Sequence, residues 1–206
     1  MRAFSEQSIS NMLWACATLQ LCKPELFRGA SAAVEARVHE FQVKGIVNVA
    51  WAFASMREPA PFLPTALQHL LQGRRWEELE PRGCAMLLWS MASQRYDERL
   101  EPFYLMLADR CIVPKVAFFH AQDISNCLWA FAASRLQHPA AYEAMAGRAC
   151  EIIETFNPQA IANVAWSCAK MQTHSGRLLE LASEEAVRRP LHTWRPQALA
   201  TLCWAV

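Results

Sequence analysis

Glycine is scarce in this 206-residue chain, six in all, and no charge of either sign dominates, the formal net charge being +1. A chain so poor in glycine and 53% hydrophobic is neither a flexible linker nor a disordered tail, and it can bury a large core. The near-neutral balance, with a pI near 7.6, supplies no global basic field, so a polyanion would have to meet a local patch. Long apolar runs are missing as well. The stretches 45–56 and 198–206 are too short to span a bilayer, and Asn48 interrupts the first, so no membrane partner is expected. Eight cysteines occur without a Cys-x-x-Cys, and Cys16, Cys84, Cys127, Cys168 and Cys203 fall inside helical phrases. They read as reduced core thiols in a reducing compartment. The six histidines, at 39, 69, 120, 138, 174 and 192, lack metal-site spacing, and there is no P-loop, dinucleotide fingerprint or nucleophile elbow. The expectation is a chain with no catalytic residue, metal, cofactor or small-molecule substrate, and so not an enzyme.

What the chain does have is one phrase, repeated. It reads FQVKGIVNVAWAFA from Phe41, FHAQDISNCLWAFA from Phe119 and FNPQAIANVAWSCA from Phe156. The tryptophan ten residues after the leading aromatic recurs as Trp14, Trp51, Trp89, Trp129, Trp166 and Trp204, at spacings of 37, 38, 40, 37 and 38. A fixed period in that range predicts stacked helical repeats. The expected fold is all-α: a right-handed α-solenoid of about five and a third helix-turn-helix repeats, at 4–40, 41–78, 79–118, 119–155, 156–193 and, in part, 194–206. These repeats are read as a single array over 1–206. The first phrase starts at Phe4, leaving no room before it for a targeting peptide, and the last phrase is unfinished at Val206. Solenoids need end caps, so the chain is expected to be a fragment of a longer protein.

Within each repeat, counting the leading aromatic as position 1, apolar residues at positions 6, 9, 10, 13 and 14 predict a first helix. With tryptophan at 11 added, the apolar surface covers most of its circumference, as for a helix packed between two neighbours. Pro81, Pro158 and Pro196 at position 3 suit its first turn, and Asn157 suits the N-cap. Pro24, Pro61 and Pro139 mark the start of a second, amphipathic helix, and Pro64 lies in the first turn of its own. The third repeat is the degenerate one. Its turn is lengthened by SQRYDERLEP, Leu79 replaces the leading phenylalanine, Met86 replaces the position-8 asparagine, and the charged link 73–82 before it is expected to be irregular.

Comparison among the repeats separates architecture from possible readout. The invariant tryptophan is expected in the core, with stacking on bases as the alternative. Asn11, Asn48, Asn126 and Asn163 at position 8 are candidates for a hydrogen-bond ladder between adjacent first helices, or for ligand contact. Position 4 carries Gln7, Lys44, Arg82, Gln122, Gln159 and Gln197, always a long donor side chain in the first turn, and is the candidate contact to an RNA backbone, with capping of the preceding turn or a solvated edge as the alternative. Position 2 varies most, as Ser5, Gln42, Glu80, His120, Asn157 and Arg195, and is the candidate for base readout. The same variation suits an unconstrained surface. Positions 5 and 12 hold mostly small residues, for close helix packing or ligand approach.

The phrase F-x-x-Q-x-I-x-N-x-x-W-A-x-A, as in FHAQDISNCLWAFA and FNPQAIANVAWSCA, resembles the first helix of octotricopeptide repeats. It is similar also to the heptatricopeptide repeats found beside FAST kinase-like and RAP domains, and to helical-repeat subunits of the mitochondrial RNA-editing substrate-binding complex. The PPPEW-type segment of the octotricopeptide consensus is not found here. The resemblance implies a single-stranded RNA-binding protein of the mitochondrion, or alternatively the plastid, acting in RNA processing, stability, editing or translation. Partners would be RNA and other proteins of an organellar ribonucleoprotein. A protein-binding solenoid scaffold without RNA contact is the alternative.

Overall fold

The computed structural model describes residues 4–21, 23–94, 98–171 and 176–205. Residues 95–97 of the lengthened turn, His174 and Val206 lie outside the described residues. Among those described, the secondary structure is entirely helical, without strands. The chain forms two compact units, Met1–Leu107 and Ala108–Val206.

In the first unit, α1 (Glu6–Thr18), α3 (Val43–Ser55) and α5 (Pro81–Ser93) are the tryptophan-bearing helices, and α2 (Pro24–Ala36), α4 (Leu63–Gln72) and α6 (Glu101–Leu107) follow them in turn. The second unit opens with a π-helical turn, Ala108–Ile112, and the short α7 (Val113–Lys115). It continues with α8 (Ala121–Ser134), α9 (Pro139–Ile152), α10 (Pro158–Met171), α11 (Gly176–Arg188) and α12 (Pro196–Ala205). In each unit the main packing is between successive tryptophan-bearing helices, α1 on α3 and α3 on α5, then α8 on α10 and α10 on α12. Pro24, Pro81, Pro139, Pro158 and Pro196 each open a helix, where the missing N–H costs nothing. The π turn precedes Pro114 in α7, a residue that cannot donate to an α-helical ladder.

The core follows the repeat. Phe41, Leu79, Phe119, Phe156 and Trp194 at position 1 are buried, and so are Ile9, Ile46, Ile124 and Ile161 at position 6. Position 12 is buried in four repeats, as Ala52, Ser90, Ala130 and Ser167, which places these small residues at the helix seam, whereas Ala15 in α1 is exposed. The two serines satisfy their hydroxyls by donating to the carbonyls of Met86 and Asn163. At position 5, a Cβ on Gly45 would stand 3.1 Å from Ser10 Oγ of the adjacent helix, a tight contact that the missing side chain relieves.

Three local devices recur that the pattern of apolar residues does not announce. A 3-10 turn precedes each later position-1 residue: Val38–Glu40, Arg75–Glu78, Val116–Phe118, Ile153–Thr155 and Leu191–Thr193. The charged link 73–82, expected to be irregular, is therefore ordered. Arg74 pairs with Glu77 and Arg75 with Glu78, both i,i+3, and in a 3-10 helix residues three apart eclipse one another. An arginine then closes the repeat onto backbone: Arg37 donates to the Phe4 carbonyl, Arg75 to the Phe41 carbonyl and Arg189 to the Glu154 carbonyl, each at 2.9 Å. The bond that Arg37 also gives Glu40 holds that carboxyl below its ordinary range. Finally, glycine scarcity shows at the helix ends. Gln20, Arg57 and Arg135, all at position 17, take the left-handed conformation with φ of 55°, 57° and 55°. Each is followed by the long backbone bond of a Schellman turn, Leu21 to Cys16, Glu58 to Phe53 and Leu136 to Phe131.

Candidate nucleic-acid interface

Positions 4, 8 and 11 are separated by four and three residues, which at 3.6 residues per turn places them within about 60° of one another on one helix face. Burial singles out that face. In α3 the residues Val43, Ile46, Val47, Val49, Ala50, Ala52, Phe53 and Ala54 are buried, whereas Lys44 is exposed and Asn48 and Trp51 are half-buried. In α8, Gln122 is exposed and Asn126 and Trp129 are half-buried beside a similar buried set. The position-11 tryptophans are therefore not core residues, as their apolar character suggested. Trp14 is 43% exposed and Trp204 61%, with Trp51, Trp89, Trp129 and Trp166 between buried and exposed. The physical reason is the register: position 11 shares its face with polar positions 4 and 8, and each indole finds apolar contact along the seam with its neighbours.

Those neighbours are other tryptophans. In the first unit the Trp14 and Trp51 ring centroids lie 6.2 Å apart. In the second, Trp129 to Trp166 is 6.3 Å and Trp166 to Trp204 is 6.4 Å, with interplanar angles of 30° and 38°. The second unit thus carries an indole ladder running across its first helices and the first unit an indole pair across α1 and α3, each flanked by a row of amides or cations.

The position-8 asparagines enter that row in an unexpected way. Gln122 Nε2 donates to Asn126 Oδ1 and Gln159 Nε2 to Asn163 Oδ1, each at 2.9 Å. These are i,i+4 bonds within one helix, linking position 4 to position 8, in place of the bonds between helices that the sequence led us to expect. Lys44 and Arg82 are exposed, and no ion pair or hydrogen bond engages either side chain among the described residues. Gln7, Asn11 and Gln197 are exposed on the same face of α1 and α12.

Position 2 is the N-cap. Ser5, Gln42, Glu80 and His120 cap α1, α3, α5 and α8, and Asn157 and Arg195 stand immediately before Pro158 and Pro196. All six are exposed. Two perform capping outright, Ser5 Oγ accepting from the Ser8 amide at 3.2 Å and Asn157 Oδ1 from the Ala160 amide at 2.8 Å. At His120 the roles reverse, with Asp123 accepting from the His120 amide at 3.1 Å.

Clefts form where these positions meet. In the first unit a cleft of about 490 Å³ between α3 and α5 is lined by Lys44, Asn48, Glu80, Arg82, Met86 and Trp14, among others. In the second, a cleft of about 340 Å³ between the starts of α8 and α10 is lined by His120, Gln122, Arg148, Thr155 and Asn157. Position 4 of one repeat and position 2 of the next thus face a common space in both. Arg148 Nε is buried there without a partner, while its Nη1 pairs with Glu151 at 2.9 Å.

Elsewhere the chemistry is quiet. Burial pushes the thiols of Cys127 and Cys168 up, away from the thiolate form. Among the described residues no group of His, Cys, Asp and Glu is placed to hold a metal ion, and no helix is long and apolar enough to cross a membrane.

No protein-family model matches the chain. Among characterised proteins it is 31% identical over 94 residues to the rice (Oryza sativa subsp. japonica) protein named RAP domain-containing protein, chloroplastic. That match covers 46% of this chain and 14% of the rice protein, so the chain spans a small part of its relative.

Proposed function

We propose that this chain binds single-stranded RNA without catalysing a reaction on it, through the face that carries positions 4, 8 and 11. The observation that carries this reading is the indole ladder beside a row of amides and cations. Aromatic faces stack on bases of any sequence, and the polar row suits sugar and phosphate. The side-by-side packing of first helices within each unit suits segments of a right-handed α-solenoid of helix-turn-helix repeats. Such an array offers equivalent groups at regular intervals to a linear polymer.

The similarity to a protein named for a RAP domain supports the same direction, because octotricopeptide- and heptatricopeptide-type repeats are found beside such domains. The rice protein's chloroplast designation favours the plastid over the mitochondrion as the site of action. There the chain would serve in transcript processing, stability, editing or translation.

The test is titration of fluorescein-labelled single-stranded RNA with the purified chain, read by anisotropy at several salt concentrations, with tryptophan fluorescence followed in parallel. Salt-dependent binding accompanied by indole quenching supports the reading. Absence of binding to every single strand tried overturns it and leaves the protein-binding scaffold.

A further inference from the structure

The inference concerns the cleft between α3 and α5 and rests on the RNA-binding reading above. Lys44 from the first turn of α3, Glu80 at the N-cap of α5, Arg82 two residues on and the Trp14 indole share its wall. A second carboxylate on that wall, Glu78, is paired with Arg75 at 3.3 Å. Glu80 is exposed, and no ion pair or hydrogen bond engages its carboxylate among the described residues. Water satisfies an exposed carboxylate, but on a phosphate-binding face it repels the backbone and favours a partner that brings hydrogen-bond donors. A nucleobase edge supplies them.

We propose that this cleft holds a guanine of the bound RNA, with Glu80 and Lys44 reading its Watson–Crick edge. Guanine presents one acceptor, O6, beside two donors, N1–H and the N2 amino group. A carboxylate accepts from both donors at once, and an ammonium next to it donates to O6. Uracil fails because its O2 faces the carboxylate where a donor is needed. Adenine and cytosine fail because a ring nitrogen, itself an acceptor, takes the place of N1–H. The Trp14 indole gives the base a stacking surface, and Arg82 remains for the adjoining phosphate. At about 490 Å³ the cleft falls in the ordinary range of small-ligand pockets, roughly 300–1,000 Å³. The corresponding cleft of the second unit presents Gln122 and Asn157 in these places, and such amides both donate and accept. Guanine selection therefore belongs to the first unit.

The experiment compares anisotropy titrations of oligouridine carrying guanine, adenine or cytosine at every third position, at one salt concentration. Wild type is expected to favour the guanine series about tenfold, in line with one good bidentate base contact. Glu80→Gln, which preserves side-chain shape, should cut that preference below about threefold by loss of the same contact, with the adenine series unchanged or slightly tighter. Glu25→Gln, on the exposed surface of α2 away from the cleft, should keep the preference. Equal affinity of wild type for the three series, or a preference that survives Glu80→Gln, overturns the proposal and leaves RNA binding standing. No binding to any of the three overturns both.

Discussion

Replacing Lys44 and Arg82 together by alanine asks whether the first turns of α3 and α5 meet phosphate. The magnitude can be worked from which cations are free. The whole chain carries a net charge of +1, so long-range attraction contributes little. Arg37, Arg75 and Arg189 are each tied to a backbone carbonyl and to a glutamate, and are not available without breaking those bonds. Lys44 and Arg82 are exposed and engaged in neither way. On oligouridine, which offers Lys44 no guanine O6, each phosphate contact contributes about −0.7 to the slope of log K against log salt, so losing two flattens it by about 1.4. Between 50 and 200 mM salt, wild type should then lose about 7-fold more affinity than the double variant. The assay is anisotropy titration of fluorescein-labelled oligouridine with each protein at several KCl concentrations, with a melting curve for each protein. Both side chains are solvent-exposed, so the melts should coincide. Identical salt slopes for the two proteins would show that this row does not touch phosphate.

Trp166 lies between two ring partners in the second unit, so Trp166→Ala should lower unfolding stability by about 1–3 kcal/mol, from two aromatic pairs. If its indole also stacks on a base, RNA affinity should fall by a further ~1–3 kcal/mol. Urea unfolding and RNA titration separate the two effects, and a stability loss without an affinity loss assigns the indole to the seam alone. Arg75→Ala removes a charged donor from the Phe41 carbonyl and should cost about 1.5–3 kcal/mol in urea unfolding. An unchanged midpoint would mean that water replaces the guanidinium without penalty. Arg135→Gly relieves a left-handed arginine at the end of α8 and should raise stability by roughly 0.5–1 kcal/mol in the same assay. A loss would show that the entropy of an added glycine outweighs the relief.

Much of the architecture was legible in the residues because it is local and periodic. The spacing of the tryptophans, the apolar residues at positions 6, 9 and 10 and the prolines at helix starts set the helices, their order and their buried face. These features act within one or two turns, and repetition made them visible without any relative. The face of the tryptophans is not legible in hydrophobicity. Hydrophobicity alone puts an indole in the core, but Trp129 shares its helix face with Gln122 and Asn126, and a seam on the surface can shelter part of an indole while leaving the rest in water.

What only the tertiary structure decided involves partners distant in the chain. The indole contacts, the arginines that close repeats onto carbonyls some 35 positions away, and the clefts that join position 4 of one repeat to position 2 of the next all depend on how neighbouring helices are set against each other. A one-dimensional pattern states which residues recur; it does not state the rotation of one helix against the next. That rotation turns Glu80 from a variable surface residue into the wall of a cleft shared with Lys44.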